Sequence, residues 1–315
     1  MNFKRTFLRN RNNKIYYYIK AILREIVPDT FARRRLRRLL VNSHGDDRSY
    51  IVDRVNYYNK LERGKALGQQ AIAIRDYAIP DRIRVYYFDS KVYLRYFDPR
   101  FRFNILPGDI VDVPEFPTIV KSRPIAGDNT NSILLNLDKS RHFNFIKDEI
   151  PFHQKANVLV GRSGFTQSHR ALFFDTYAHH PMCNLKKAAR SSDRDFLSIT
   201  GHLQYKFILA LEGNDVATNL KWIMSSNSIA VMPLPKYETW FMEGRLIPDY
   251  HFICIKDDYS DLEEKLNYYI HHEDKAIEIV NNAHDYIAQF KNRKREDVIA
   301  LKVLQKYFDC TRMLP

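Results

Sequence analysis

Residues 205–262 read YKFILALEGNDVATNLKWIMSSNSIAVMPLPKYETWFMEGRLIPDYHFICIKDDYSDL. The stretch opens with an apolar run, Phe207 to Leu211, of the length of a buried strand. A turn, Glu212-Gly213-Asn214-Asp215, follows, and then a helical pattern from Val216 to Met224. Ser228 to Met232 is a second strand-like run, closed by Pro233 and Pro235, and His251 to Ile255 is a third, closed by Lys256-Asp257-Asp258. Strand, helix, strand and strand again is the rhythm of a parallel α/β sheet, whose ligands gather at the carboxyl ends of its strands. Function is therefore sought in the carboxyl-end loops.

In the first of those loops Gly213 permits a sharp strand-to-helix turn, and Asn214 or Asp215 can cap the helix that follows. Unpaired N–H groups at the start of that helix, with the positive end of its dipole, suit a pyrophosphate. Thr218, Asn219 and Lys221 fall in its first two turns as further donors. Spacing alone is a weak signal here, since most strand-turn-helix units bind nothing. Further on, Glu238 at a strand's end suits a sugar hydroxyl pair, and Trp240 is either a stacking platform or core.

Upstream, Ala156 to Val160 is a strand ending in Gly161-Arg162-Ser163-Gly164, and the helix-like run Ala171 to Tyr177 carries Arg170 at its head. A strand, a polar Gly-bearing loop and a helix with an arginine form a phosphate-binding geometry, so Arg162 and Arg170 join the donor-side candidates. Residues 104–124, NILPGDIVDVPEFPTIVKSRP, are proline-rich and predict a loop with a short strand, Asp109 to Val113. Asp109, Asp112 and Glu115 there are candidate general bases, with solvated loop carboxylates as the alternative.

The remaining pattern predicts strands at Ala71–Tyr77, Arg82–Phe88, Lys91–Tyr96 and Ser132–Leu137, with a hairpin turn at Asp89-Ser90. Ser260 and Glu263 fit a capping box opening a helix through Ile270. Helices follow at Asp274–Phe290 and Val298–Phe308, separated by a charged break at Lys291–Glu296.

A chain of 315 residues suits two domains or one large α/β domain, and 45% hydrophobic residues supply a sizeable core. With only 10 glycines there is no GxGxxG and no GxxxxGK[ST], which argues against a Gly-rich dinucleotide fold or a P-loop. The formal charge of +13 implies a polyanionic partner: nucleic acid, an anionic membrane or a phosphorylated substrate. Cys183, Cys254 and Cys310 are widely spaced and suit a reducing compartment. His169, His179, His180, His271 and His272 have no metal-ligand spacing, so no protein-built metal site is expected. No run of eighteen apolar residues and no apolar leader core occurs, which predicts a cytoplasmic protein. Residues 1–45 interleave Lys4, Arg5, Arg9, Lys20, Arg24 and Arg33 to Arg38 with Ile15, Ile19, Ile22 and Leu23 at helical spacing. That is a basic amphipathic segment for an anionic lipid surface, or a helix packed on the body with a solvated basic face.

On these residues the chain resembles glycosyltransferase family 90, and within it the bacterial lipopolysaccharide core branch. The carrying blocks are Tyr205-Lys206-Phe207, Glu212-Gly213-Asn214 with Lys221, Trp240-Phe241, Pro248-Asp249-Tyr250-His251 and Ile253 to Leu262, with Gly161-Arg162 and Arg170 upstream. The resemblance runs over roughly residues 80 to 290. It implies a GT-B fold: two Rossmann-like domains facing across a cleft, with C-terminal helices packing back. The expected division is an acceptor-side domain at 1–150, a nucleotide-sugar domain at 151–295 and a returning helix at 296–315. It also implies inverting, metal-independent transfer of a hexose from a UDP-sugar donor, with no cofactor, to a lipopolysaccharide inner-core sugar. The enzyme would sit peripherally on the inner face of the cytoplasmic membrane, held by its basic N-terminus.

The base of the family's eukaryotic members, an Asp before an aromatic and a proline, corresponds to the segment Val113-Pro114-Glu115-Phe116-Pro117. That implies Glu115, with Asp112 and Asp109 in reserve. Asn219 stands where many members carry an arginine, so diphosphate neutralisation passes to Arg170, Arg162 or Lys221. The rival readings are a same-family transferase acting on a capsule or protein acceptor, and a non-catalytic basic module for nucleic acid, a partner the resemblance does not imply.

Overall fold

The computed structural model describes residues 14–41, 47–164, 167–188 and 190–312. Leaving aside single-turn helices, its helices are α1 (Lys14–Ile26), α2 (Asp29–Val41), α3 (Arg48–Tyr58), α4 (Arg84–Leu94), α5 (Ser168–Tyr177), α6 (Leu220–Met224), α7 (Leu262–His271), α8 (Glu273–Ala288) and α9 (Arg293–Thr311). Its strands are β1 (Ile72–Ala73), β2 (Arg102–Phe103), β3 (Ile105–Leu106), β4 (Thr118–Val120), β5 (Ser122–Pro124), β6 (Ser132–Leu134), β7 (Ala156–Ser163), β8 (Cys183–Lys187), β9 (Tyr205–Leu209), β10 (Ile229–Met232), β11 (Tyr237–Thr239) and β12 (Ile253–Cys254). Two compact units result. One holds Ser140–Pro235 and Glu243–Lys291; the other holds Lys14–Lys139, Lys236–Met242 and the chain from Asn292.

The first unit is built on a five-stranded sheet in the order β8-β7-β9-β10-β12, every pair parallel. Such a sheet is covered on both faces, so its inner strands tend to continuous apolar runs, as in β10, while the edge strand β8, CNLKK, does not. Leu159, Val160, Phe207, Ile208, Val231 and Ile253 are accordingly sealed from solvent. Phe173 and Phe174 of α5 share one core with Leu262 and Leu266 of α7 and Ala276 and Ile279 of α8. Counting strands along this unit, the spatial order is 2-1-3-4-5, a doubly wound α/β arrangement whose direction of winding reverses between β7 and β9.

The second unit carries a three-stranded parallel sheet, β3-β4-β6, and two antiparallel pairs, β1-β2 and β5-β11. Arg54 of α3 and Glu296 of α9 form a buried ion pair at 2.9 Å. Trp240 stacks on Tyr58 with ring centroids 3.9 Å apart, and its indole N–H donates to Glu296 at 2.6 Å. Of its two readings, Trp240 takes the core one.

Several local expectations are corrected. Arg82–Phe88 and Lys91–Tyr96 are not a hairpin: α4 runs through Asp89-Ser90 without a turn. Aromatic content raised the strand reading, but Tyr86, Tyr87, Ser90, Tyr93, Leu94 and Phe97 are buried at helical spacing, and packing overrides propensity. Ala71–Tyr77 shortens to β1 and a 3-10 turn. Asp109–Val113 forms no strand; the strand of that segment is β4, past the last proline. Val216–Met224 narrows to α6, so the helix start expected after Asp215 does not form there. Ser260 is no capping box, because its hydroxyl bonds Asp258 and α7 begins at Leu262 behind Asp261. The charged break contracts to the residues between Ala288 and Arg293, and α9 is longer at both ends than expected.

Candidate active site

In a doubly wound sheet a ligand crevice opens outside the carboxyl ends of the two strands where the winding reverses. Here those strands are β7 and β9. The loop leaving β9 is the one singled out in the sequence, whereas Gly161, Arg162 and Ser163, expected in a loop, are the last residues of β7 and pair with β8. Arg170, on the first turn of α5, crosses to the β9 loop. Its Nε donates to the carbonyl of Glu212 and its Nη2 to that of Leu211, both at 2.7 Å, while Nη1 donates to Ser163 Oγ at 3.0 Å. Three of its five N–H groups are thus committed to fixing the guanidinium. Burial, with the neighbouring charge of Arg141, lowers the Arg170 pKa, though an arginine remains a cation in any relevant range. His169 Nε2 also meets the Glu212 carbonyl at 2.9 Å, and Gln167 donates to Asn214 Oδ1 at 2.8 Å.

Gly213 lies under this arginine. A Cβ there would stand 3.3 Å from Arg170 Nη2, so a side chain would press on the guanidinium. Its own N–H donates to the Asp215 carbonyl at 2.8 Å, which tightens the turn. Asp215 is buried, Asn214 is exposed and Thr218 is half-buried. The fold therefore brings Arg170, Gly213, Asn214 and Asp215 together at one place.

The other donor-side candidates are engaged elsewhere. Arg162 is spent on the carbonyls of Asp195 and Asn184, at 2.8 and 2.7 Å, and on Asn184 Oδ1. Asn219 donates to the Leu209 carbonyl at 2.9 Å. Lys221 is fully enclosed, with its ammonium 2.5 Å from Glu243 Oε1. Glu238 belongs to the second unit, where it is buried, accepts from Arg123 Nε at 2.8 Å and takes the Tyr57 hydroxyl as well. Arg123, Tyr57 and Glu243 went unread in the sequence, because nothing local marks a partner distant along the chain.

The three candidate bases all lie in the loop from β3 to β4 but differ in placement. Asp109 follows β3 closely and is 2.5 Å from Lys121, the residue after β4. Next to it Ile110 N–H donates to Ser122 Oγ at 3.1 Å. These bonds pin Asp109 at the carboxyl ends of β3 and β4. Asp112 and Glu115 are exposed. Glu115 is three residues ahead of β4, on its amino side, and is tied by its backbone carbonyl to Asn131 at 2.6 Å. Among the described residues no three His, Cys, Asp or Glu side chains cluster as metal ligands, and no helix is long and apolar enough to cross a membrane.

An anchored arginine over a glycine turn at a sheet's reversal point can present a fixed cation and close backbone to an anionic ligand, on the frame of an α/β protein. Comparison with known proteins narrows this. The model of glycosyl transferase family 90 matches residues 168–315, a span that includes Arg170 and the Gly213 turn. The O-glucosyltransferase LpsA of Dichelobacter nodosus is 40% identical over 305 residues, covering 94% of this chain and 95% of that protein. The chain belongs to glycosyltransferase family 90 and is a transferase enzyme.

Proposed function

We propose that the enzyme moves a hexose from a UDP-sugar to an inner-core sugar of lipopolysaccharide, with inversion and without a metal or cofactor. The single observation carrying this is the Arg170–Gly213 arrangement at the β7/β9 reversal point. It offers a fixed cation and a close backbone approach where a diphosphate would sit. The family membership and the name of the 40%-identical relative support a glycosyl donor and an acceptor of the lipopolysaccharide class, with glucose as the first hexose to test.

In this reading one carboxylate takes the proton of the acceptor hydroxyl as its oxygen attacks the anomeric carbon from the face opposite the diphosphate. UDP leaves with the electron pair of the broken C–O bond. Arg170 balances the charge that grows on the diphosphate, a stabilisation most effective in a group already positioned. Of the three carboxylates the geometry favours Asp109, which is at the strand carboxyl ends and held by Lys121. Glu115 and Asp112 are reserves in this reading. The overall arrangement is proposed as GT-B, with an acceptor-side domain at 1–150, a donor domain at 151–295 and a terminal helix at 296–315. The acceptor, a phosphorylated lipid, would place the enzyme on the inner face of the cytoplasmic membrane.

The test is to incubate the enzyme with a panel of UDP-sugars and truncated lipopolysaccharide, with and without a chelator, and read products by mass spectrometry. One added hexose from a single donor, insensitive to the chelator, is expected. Turnover of no UDP-hexose by pure, folded enzyme sinks the reading.

A further inference from the structure

α1 is an amphipathic helix mounted with its apolar face outward. The side turned to the protein is held largely by polar bonds. The Tyr17 hydroxyl donates to Asp89 Oδ1 at 2.8 Å, Tyr87 donates to Glu25 Oε2 at 3.0 Å, and Arg95 donates to the Arg24 carbonyl at 3.0 Å and to that of Val27. Ala21, on the same side, is buried. The opposite side carries Ile15 at 73%, Ile19 at 52%, Ile22 at 56%, Leu23 at 58% and Ile26 at 73% exposed. At about 100° per residue these five share one face. Water would favour the reverse orientation, and a contiguous apolar surface of this kind marks an interaction site. Tyr17, Glu25 and Arg95 fix the helix so that it cannot roll over and bury that face.

We infer that this face of α1 inserts into the headgroup boundary of an anionic bilayer, with the arginines of α2 on the lipid phosphates. Charge selects this occupant. Phe31, Arg34, Arg35 and Arg38 are all exposed on α2, at the i, i+3, i+4, i+7 spacing of one helix face. An exposed apolar face on one helix followed in the chain by an exposed basic face on the next suits lipid acyl chains under phosphate headgroups. A second copy of this chain would bring two net charges of +13 together, with no acidic surface on α1 or α2 to compensate beyond Glu25 and Asp29, which are already bonded to Tyr87 and Arg95. The proposal deepens the functional reading, on which only the choice of membrane leaflet rests.

The test uses the full chain and sedimentation with vesicles, without sugar nucleotide, so its failure is separate from failure of the transferase reading. Phosphatidylcholine vesicles are compared with vesicles containing phosphatidylglycerol. The wild type should partition onto the anionic vesicles. Ile19→Glu/Ile22→Glu, which alters only exposed side chains, should bind at least about tenfold more weakly, with unchanged circular dichroism and unchanged transfer to a water-soluble acceptor. Arg34→Ala/Arg35→Ala/Arg38→Ala should lose the preference for the anionic vesicles. The inference is overturned if the wild type binds neither vesicle, or if the Glu variant binds as the wild type does. It is equally overturned if the Glu substitutions abolish a wild-type dimer, seen by analytical ultracentrifugation, without affecting vesicle binding.

Discussion

The guanidinium of Arg170 rests on Gly213, close enough that a methyl group at residue 213 would stand 3.3 Å from Nη2. That contact is tighter than an ordinary van der Waals approach, and the arginine is tied at three points, so it has little room to yield. Gly213→Ala should tilt the guanidinium away from a bound diphosphate while leaving the fold intact. The expected effect is a loss of roughly tenfold in kcat/KM for the nucleotide sugar, about 1.4 kcal/mol. Arg170→Lys should cost more, because an ammonium cannot span the Leu211 and Glu212 carbonyls and also face a ligand. Steady-state kinetics with the preferred UDP-sugar checks both, and equal kcat/KM for wild type and Arg170→Lys would remove this arginine from the donor site.

The base assignment separates as cleanly. Asp109→Asn keeps the size and the contact with Lys121 but removes the basic oxygen, and should lower kcat by about 10²–10⁴-fold with donor KM little changed. Glu115→Gln, on an exposed side chain, should stay within about twofold of wild type in the same assay. The opposite result, loss with Glu115→Gln and activity with Asp109→Asn, returns the role to Glu115.

The strands β7 and β9 were legible in the sequence because their signals are local. A strand shows its apolar run over a few residues, so both formed near the expected places. β9 nevertheless ends two residues early, at Leu209, and β7 continues through Gly161-Arg162-Ser163, where a loop was expected, because those residues pair with β8. That Arg170 would lie on the Glu212 carbonyl, 42 residues away, was not legible from spacing, since it depends on the order of strands in the sheet. The same holds for Glu238, whose partner Arg123 is 115 residues distant, and for Lys221, which carries charge in the sequence yet is enclosed with Glu243 in the fold. α4 was misread for another reason. Its tyrosines favour strand in isolation, and packing on more than one side, Phe88 and Asp89 included, made it helical. The outward mounting of α1 was likewise hidden, because periodicity identifies an apolar face without saying which way it points.

Glu296 carries two buried donors, the Arg54 guanidinium and the Trp240 indole. Removing one member of such a pair leaves an unmatched charge in the interior, which is far costlier than never having built the pair. Glu296→Ala should therefore destabilise the protein by about 3–5 kcal/mol, read as a lower urea midpoint at unchanged m-value. Arg54→Met/Glu296→Leu, which removes both charges, should recover much of that loss. A double variant no better than the single would show that the indole bond, not the ion pair, dominates.

His202 gives the stability of the protein a dependence on pH above the range where carboxylates titrate. Burial lowers its pKa to about 4, and it stays neutral with Nδ1 bonded to the Ser198 carbonyl at 2.8 Å. In the unfolded chain a histidine titrates near 6.5. Between those values the unfolded state holds a proton that the folded state refuses, so stability rises with pH across the window and falls as pH drops through it. From pH 7 to pH 5 the loss from this residue should be about 2 kcal/mol. Urea unfolding at the two pH values measures the total, and His202→Gln isolates the histidine, since an amide does not titrate. The variant should be less stable than wild type at pH 7 and should lose distinctly less on acidification. If wild type and His202→Gln show the same slope with pH, His202 is protonated in the folded protein and the burial argument fails.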